Sequence, residues 1–267
     1  MSTHTNRVYA ITGLSGIGLS TAALLHSQGA YLSLADISRD SLSNAIAVIC
    51  PLPSSSPAKI MTTVLDVRDR AAVDTWIAST ISRFGRLDGA ANMAGVIGAD
   101  HGMKGLIESD DDDAQWDMIM SVNLTGLMYC MRAQIRAMMG NKGGEDRGLP
   151  EGEGKGSIVN ASSIQGLIGF KNHAAYSASK HGVIGLSRSV AKEVGPGVRV
   201  NCVAPGSIQT PLLDKANAIQ GVTTPEVPSV ISRPGTANEV AQVVCFLLSD
   251  AASYITGSVQ SVDGGWQ

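Results

Sequence analysis

Residues Arg7 to Asp36 read RVYAITGLSGIGLSTAALLHSQGAYLSLAD. The stretch opens with a short β-rich run, Arg7 to Thr12, and passes through Gly13-Leu14-Ser15-Gly16-Ile17-Gly18. A helical pattern continues to Gln28, with Gly29 as its stop. Tyr31 to Ala35 predicts a second strand, closed by Asp36. Strand, glycine turn, helix, strand and acid in this order are the context of a dinucleotide site. The glycines let the backbone approach a pyrophosphate, and the helix N-terminus offers it unpaired N–H groups. A glycine cluster by itself more often marks a plain tight turn; the flanking elements and Asp36 weigh against that reading. Asp36 stands 18 residues after Gly18, placed to accept hydrogen bonds from an adenosine ribose. Its charge repels a 2′-phosphate, no Arg follows it directly, and position 15 is Ser. The expected cofactor is NAD rather than NADP.

Outward from this unit, strands and helices keep alternating. Helices are expected over Ser41 to Ile49, Ala71 to Phe84, Trp116 to Met139, Ala174 to Val194 and Asn238 to Leu248. Strands are expected over Ile60 to Leu65, Leu87 to Asn92, Ser157 to Ala161, Val198 to Val203 and Ser258 to Val262. No linker and no repeat interrupts them. The expected fold is α/β: a single Rossmann domain over residues 1–267, with a doubly wound parallel sheet of about seven strands and helices on both faces.

Four stretches break the alternation. Cys50 to Pro57 has the composition of a surface loop. Asp110 to Asp113 precedes a helix, where acids complement the dipole, so a solvated cap is expected; no ligand spacing supports calcium. Asn141 to Lys155, NKGGEDRGLPEGEGK, has almost nothing apolar to bury and is expected to be a mobile surface loop. Residues 207–235 carry Pro211, Pro225, Pro228 and Pro234 and are expected to form an irregular substrate lid.

Chemistry concentrates in Gly156 to Glu193, GSIVNASSIQGLIGFKNHAAYSASKHGVIGLSRSVAKE. Tyr176 and Lys180 are four residues apart, so on a helix they share a face, about 6 Å apart along the axis. Ser163 lies just past the end of the preceding strand. A free phenol titrates near ~10, too high for work at neutral pH, and a neighbouring ammonium favours the phenolate. A bare YxxxK is more often an interfacial Tyr beside a solvated Lys; Ser163 and the glycine turn argue against that here.

Composition narrows the partners. The chain has 267 residues, 44% of them apolar, and a net charge of −3. No basic stripe points to nucleic acid, and no apolar run approaches the ~20 residues of a membrane helix. The first residues, MSTHTNRVYAITG, lack the apolar core of a signal peptide. Cys50, Cys130, Cys202 and Cys245 are widely spaced without a CxxC pair, so buried thiols in a reducing, cytoplasmic setting are expected and a metal site is not.

These residues resemble one family over nearly the whole chain, the compact short-chain dehydrogenases/reductases. Thr12-Gly13…Gly16-Ile17-Gly18 resembles its TGxxxGxG, Asp66-Val67 its adenine-contacting pair, and Asn92-Met93-Ala94-Gly95 its NNAG. Asn123, Ser163, Tyr176 and Lys180 match its catalytic set. Pro205-Gly206, Ile208 and Thr210 match the segment that holds the nicotinamide carboxamide, and Val262-Asp263-Gly264-Gly265 its usual ending. Two departures stand out. Only Leu14 and Ser15 separate Gly13 from Gly16, one residue fewer than the pattern, and Met93 replaces an Asn.

The resemblance implies hydride transfer between NAD(H) and a secondary alcohol or ketone. Tyr176 would be the general acid/base and Ser163 would hold the substrate oxygen. Lys180 would grip the ribose and lower the Tyr176 pKa, and Asn123 would position a water for proton relay. The cofactor set it implies is Gly13, Ser15, Gly16, Ile17, Gly18, Asp36, Asp66, Val67, Asn92, Ala94, Gly95, Tyr176, Lys180, Pro205, Gly206, Ile208 and Thr210. It also implies a homotetramer, in keeping with the apolar or small residues on more than one face of the helices at Trp116 to Met139 and Ala174 to Val194. The substrate pocket is expected from residues 96–107, 164–173 and 207–232. His101 and His173 fall in those loops, where surface histidines are the commoner case. Their mostly apolar or small make-up suits an alcohol or ketone of moderate size, of the kind secondary metabolism handles. Two alternatives stand beside this reading: a non-catalytic NAD-binding protein, and an enzyme of the same fold that isomerises or cyclises without net redox.

Overall fold

The computed structural model describes residues 4–51, 57–108, 113–223 and 227–266. The first half of the chain forms β1 (Val8–Thr12), α1 (Ile17–Ser27), β2 (Tyr31–Asp36), α2 (Arg39–Ile49), β3 (Ile60–Val64), α3 (Arg70–Phe84) and β4 (Gly89–Asn92). Then come α4 (Ala114–Met120), a π-helical segment (Ser121–Gly126), α5 (Leu127–Met139), β5 (Gly156–Ala161), α6 (Ala174–Val194) and β6 (Val198–Pro205). The chain closes with β7 (Ile208–Gln209), α7 (Pro211–Gln220), β8 (Gly235–Thr236), α8 (Ala237–Leu248) and β9 (Val259–Val262).

Seven strands make one parallel sheet in the order β3-β2-β1-β4-β5-β6-β9, and β7 pairs with β8 apart from it. The order reverses between β1 and β4, which run side by side from Tyr9↔Gly89 to Thr12↔Asn92. At such a switch point the loops part and leave a crevice beyond the strands' carboxyl ends. Every residue of β1, β4 and β5 is buried, as expected for strands covered on both faces. Side chains of β1 alternate between the two cores. Tyr9 and Ile11 pack with Leu25 and Val244, whereas Val8 and Ala10 pack with Trp76 and Met131. Trp76 donates its indole N–H to Ser33, which also bonds Thr80, so the polar atoms in this core are paired.

Helix starts follow local chemistry. Ser38 caps α2 by accepting from the Ser41 N–H, which moves its start two residues ahead of the expected Ser41. Asp69 caps α3, and Thr236 with Glu239 forms a capping box on α8. The expected helix Trp116 to Met139 is instead α4 and α5 joined through the π-helical segment. The expected irregular lid holds a ten-residue helix, α7. Pro211 occupies its first position, where the missing N–H breaks no helical bond, so proline here starts a helix rather than preventing one.

The segment after α5 closes on itself through polar bonds. The Asn141 side-chain amide donates to Leu87 O at 2.6 Å and Lys155 O at 2.8 Å, and Gly144 N–H donates to Glu153 O at 2.7 Å. Of the expected acidic cap, Asp113 stands at the α4 N-cap without a side-chain hydrogen bond to it; Asp110, Asp111 and Asp112 lie outside the described residues, as does most of the Cys50 to Pro57 loop.

Candidate active site and cofactor cleft

β5 ends at Ala161, and the chain turns through Ser162 and Ser163 into a single helical turn, Ile164–Gly166. The Ser163 hydroxyl caps that turn by accepting from the Gln165 N–H at 3.1 Å. Across from it, α6 presents Tyr176 and Lys180, both buried. The Lys180 ammonium donates to Ala161 O at 2.9 Å and lies 5.5 Å from the centre of the Tyr176 ring. Ser162 donates to Lys180 O at 2.9 Å. The i, i+4 pair is therefore locked to the end of β5 by two hydrogen bonds.

Asn123 sits in the π-helical segment and is fully buried. Its carbonyl oxygen accepts from Val96 N–H at 2.8 Å, and its amide donates to Val96 O and to the Ser179 hydroxyl. Both N–H donors are spent, so a water ordered by this side chain would have to donate to its remaining Oδ1 lone pair. A methyl on Gly95 would lie 3.4 Å from both Asn123 Oδ1 and Lys180 Nζ, so these two groups face each other across that glycine.

Burial sets the proton affinities. It pushes the Tyr176 phenol up to about 12, against the pull of its hydrogen bond with Ser163. It pushes the Lys180 ammonium down to about 8. This corrects the expectation that Lys180 brings Tyr176 below its ordinary value: in the protein by itself, desolvation wins and the phenol holds its proton at neutral pH.

The crevice at the β1–β4 switch point is a cleft of about 520 Å³. Gly13, Ser15, Gly16, Ile17, Gly18, Asp36, Asp66, Val67, Ala94, Gly95 and Thr210 line it. Tyr176, Lys180, Pro205, Gly206 and Ile208 line a second cavity of about 420 Å³ together with Ser163. The two cavities share Ile17, Met93, Gly95, Thr210 and Leu212, so they lie side by side with a common wall. Asn92 is the exception among the expected cofactor residues. It lines neither cavity; its amide is buried and bonded to Gln134 and Asn160, tying β4 to α5 and β5.

The shortened glycine turn folds back on Asp36. One carboxylate oxygen accepts from Leu14 N–H at 2.7 Å and the other from Ser38 N–H at 2.8 Å. Gly16 lies under the start of α7: a methyl there would come 2.9 Å from Thr210 Cγ2. The unpaired N–H groups of α1 open onto the cleft at this point, with a carboxylate at one end and the Lys180 cavity at the other. This donor set fits a dinucleotide.

Reasoning from the sequence missed Arg68 and Lys215 in the cleft and Trp266 in the Tyr176 cavity. Arg68 grips Asp66 through three hydrogen bonds of 2.6–3.0 Å, which largely neutralises it. Lys215 has no motif around it; only the i, i+4 helical spacing from Pro211 would place it at the same rim. His101 and His173 line the Tyr176 cavity, their rings 4.1 Å apart, with His101 edge-on to Tyr176 at 5.3 Å.

A glycine-lined cleft beside a Ser-Tyr-Lys cavity on a parallel α/β sheet fits a dinucleotide-dependent enzyme of the Rossmann class. The family model described as enoyl-(acyl carrier protein) reductase matches residues 11–267. The short-chain dehydrogenase/reductase aba4 of Botryotinia fuckeliana (strain B05.10) is 47% identical, over 98% of this chain and 97% of the relative. Levodione reductase of Leifsonia aquatica is 37% identical over 98% of this chain and 94% of the relative. A levodione reductase crystal structure superposes with a TM-score of 0.80 at 36% identity, covering 97% of each chain. The structure of ElxO with NADP bound reaches a TM-score of 0.81 at 29% identity, over 97% of this chain and 98% of that one. The chain belongs to the short-chain dehydrogenase/reductase family, whose members bind a nicotinamide cofactor. Among the described residues no helix is long and apolar enough to cross a membrane, and no cluster of His, Cys, Asp and Glu could hold a metal.

Proposed function

We propose that this protein interconverts a secondary alcohol and a ketone with NAD(H), and that Tyr176 is its general acid/base. The observation that carries the reading is the shared wall of the two cavities: a dinucleotide held at Asp36 would reach past Gly95 and Thr210 towards the buried Tyr176, Ser163 and Lys180. The nicotinamide, when bound, accepts or supplies the hydride. Tyr176 takes the proton from, or gives it to, the substrate oxygen, and Ser163 donates a hydrogen bond to that same oxygen. Lys180 places its charge beside the phenol and grips the ribose. Asn123 holds the Val96 backbone at the cleft floor and relays protons through an ordered water. General acid–base catalysis of this kind contributes about 10²–10⁴-fold. His101 and the apolar walls accept a ring or chain of moderate size.

Residues Asp66, Val67 and Ala94 hold the adenine side, and Lys215 offers a cation to the pyrophosphate. NAD is favoured over NADP because Asp36 presents a charge that two backbone N–H groups hold in place, and Arg68 is already bound to Asp66. ElxO, a structural neighbour, holds NADP, so the preference for NAD proposed here rests on these side chains and not on the fold. The four free cysteines suit a cytoplasmic enzyme, and a homotetramer is part of the same reading, to be checked by light scattering at micromolar concentration.

The test is a panel of secondary alcohols and ketones followed by NADH or NADPH absorbance. Turnover with NAD at a higher kcat/KM than with NADP is expected. Tight NADH binding without turnover of any compound would favour the non-catalytic alternative. Product formed without stoichiometric NADH would favour isomerisation.

A further inference from the structure

The Tyr176 cavity is of mixed polarity, with apolar wall from Ile97, Ile164, Phe170, Leu213, Val222 and Trp266. One part of its wall differs. His101 comes from the loop after β4, and Asn217 and Gln220 come from α7; all three line the cavity. Their side chains make no hydrogen bond to any described residue. Gln220 packs against Gly102, the residue next to His101, whose φ of +81° is open to glycine at low strain. A methyl there would meet Gln220 Nε2 at 2.6 Å and His173 Nε2 at 3.0 Å. His101 is in turn braced by the His173 ring and the Tyr176 edge.

Half-exposed polar groups on a cavity wall are met by water until a ligand with matching donors and acceptors takes its place. Charge decides what that can be. Lys180 is the sole cation among the described residues lining this cavity, and it is bonded to Ala161 O. His101 is held neutral near physiological pH, since burial and the neighbouring His173 push it down to about 4. Neutral donors and acceptors match a hydroxyl or a ketone and leave a carboxylate without a counter-charge.

We propose that His101 and Gln220 recognise a second, uncharged oxygen function of the substrate, remote from the carbon that is oxidised or reduced. The substrates are then diols, hydroxyketones or diketones rather than simple alcohols. This rests on the dehydrogenase reading above. Oxidation of 1,4-cyclohexanediol, for example, breaks one C–H and one O–H bond and gives 4-hydroxycyclohexanone, NADH and a proton. The second oxygen stays bound to His101 and Gln220 throughout.

The experiment compares kcat/KM for cyclohexanol, 1,4-cyclohexanediol and 4-hydroxycyclohexanecarboxylate on the whole protein with NAD. The diol should exceed cyclohexanol by at least about tenfold, because a site built to hydrogen-bond a hydroxyl rejects the analogue that lacks it. The carboxylate should be the poorest of the three. In His101→Phe, which keeps the ring packing, and in Gln220→Leu, the diol preference should fall below about threefold. A ratio measured on one preparation cancels any loss of folded enzyme. Equal use of diol and cyclohexanol by the wild type, an unchanged ratio in both variants, or preference for the hydroxy acid would each overturn the inference while leaving the dehydrogenase reading intact. No turnover of any of the three with NAD or NADP would count against both.

Discussion

α6 and α7 face each other across the same cavity and are built on opposite plans. α6 buries Tyr176, Ser177, Ser179, Lys180 and four further residues, while α7 buries none of its ten. On α6, Lys180 is bonded to Ala161 and Ser179 to Tyr176 and Asn123. On α7, Lys215, Asn217 and Gln220 have no side-chain hydrogen bond or ion pair with a described residue. Groups that move protons are positioned by the protein before any ligand arrives; groups that select the ligand are left for the ligand to complete. The first arrangement fixes geometry, which acid–base chemistry needs. The second leaves a weakly packed helix, of the kind that opens and closes most readily.

The sharpest way to break this contrast is Tyr176→Phe. Turnover should fall by about 10³-fold or more while NADH affinity, followed by nicotinamide fluorescence, changes by less than about threefold. An equal loss in both would mean that the phenol is chiefly a binding group.

Next in size is Lys180→Met, expected to reduce activity by roughly 10²-fold and to weaken cofactor binding. Stability should move the other way. The folded protein holds Lys180 near 8 against an ordinary value of 10.5, so between those pH values the unfolded chain binds more protons and wild-type stability rises with pH. Below pH 8 the buried charge is a constant penalty that Met lacks. Melting curves should show the variant more stable at pH 7 and the gap closing towards pH 10; a less stable variant at pH 7 would show that its bond to Ala161 outweighs burial.

Asp36→Ala should narrow the preference for NAD over NADP by about tenfold, or ~1.4 kcal/mol, mainly by weakening NAD. The loss should include a structural share, because Leu14 N–H loses its acceptor. An unchanged kcat/KM ratio would place the ribose away from Asp36. The smallest effect is expected from replacing residues 143–153 with a short linker while keeping Asn141 and Lys155. Loop length adds little closure entropy, so the melting temperature and kinetics should be nearly unchanged. A large loss of either would show that this segment docks on something the activity needs.

How much of this could be read from the residues varies with the kind of signal. Val8 to Thr12 and Tyr31 to Asp36 announce the sheet because a doubly covered strand must be apolar or small at nearly every position. Tyr176 and Lys180 announce themselves through helical spacing. The start of α7 was hidden because a proline reads as a break, although at the first helical position it is harmless. The role of Asn92 was hidden because its partners, Gln134 and Asn160, lie far away in the chain. The same distance separates His101 from Gln220, which only the folded α7 brings to the loop after β4.

The π-helical turn around Asn123 sets a limit of a different kind. An α-helix advances about 100° per residue, whereas a π-turn fits one residue more into nearly the same rotation, so the extra residue bulges out and the helices on either side keep their relative phase. Remove a single residue from Ser121–Gly126 and the chain can wind on as a regular helix, with α4 and α5 in much the same relative orientation but without the bulge that carries Asn123. Ile119 would keep its buried position, and the contact of Asn123 with Val96 is what would be lost. The extra residue is therefore something the site needs and the helices on either side do not.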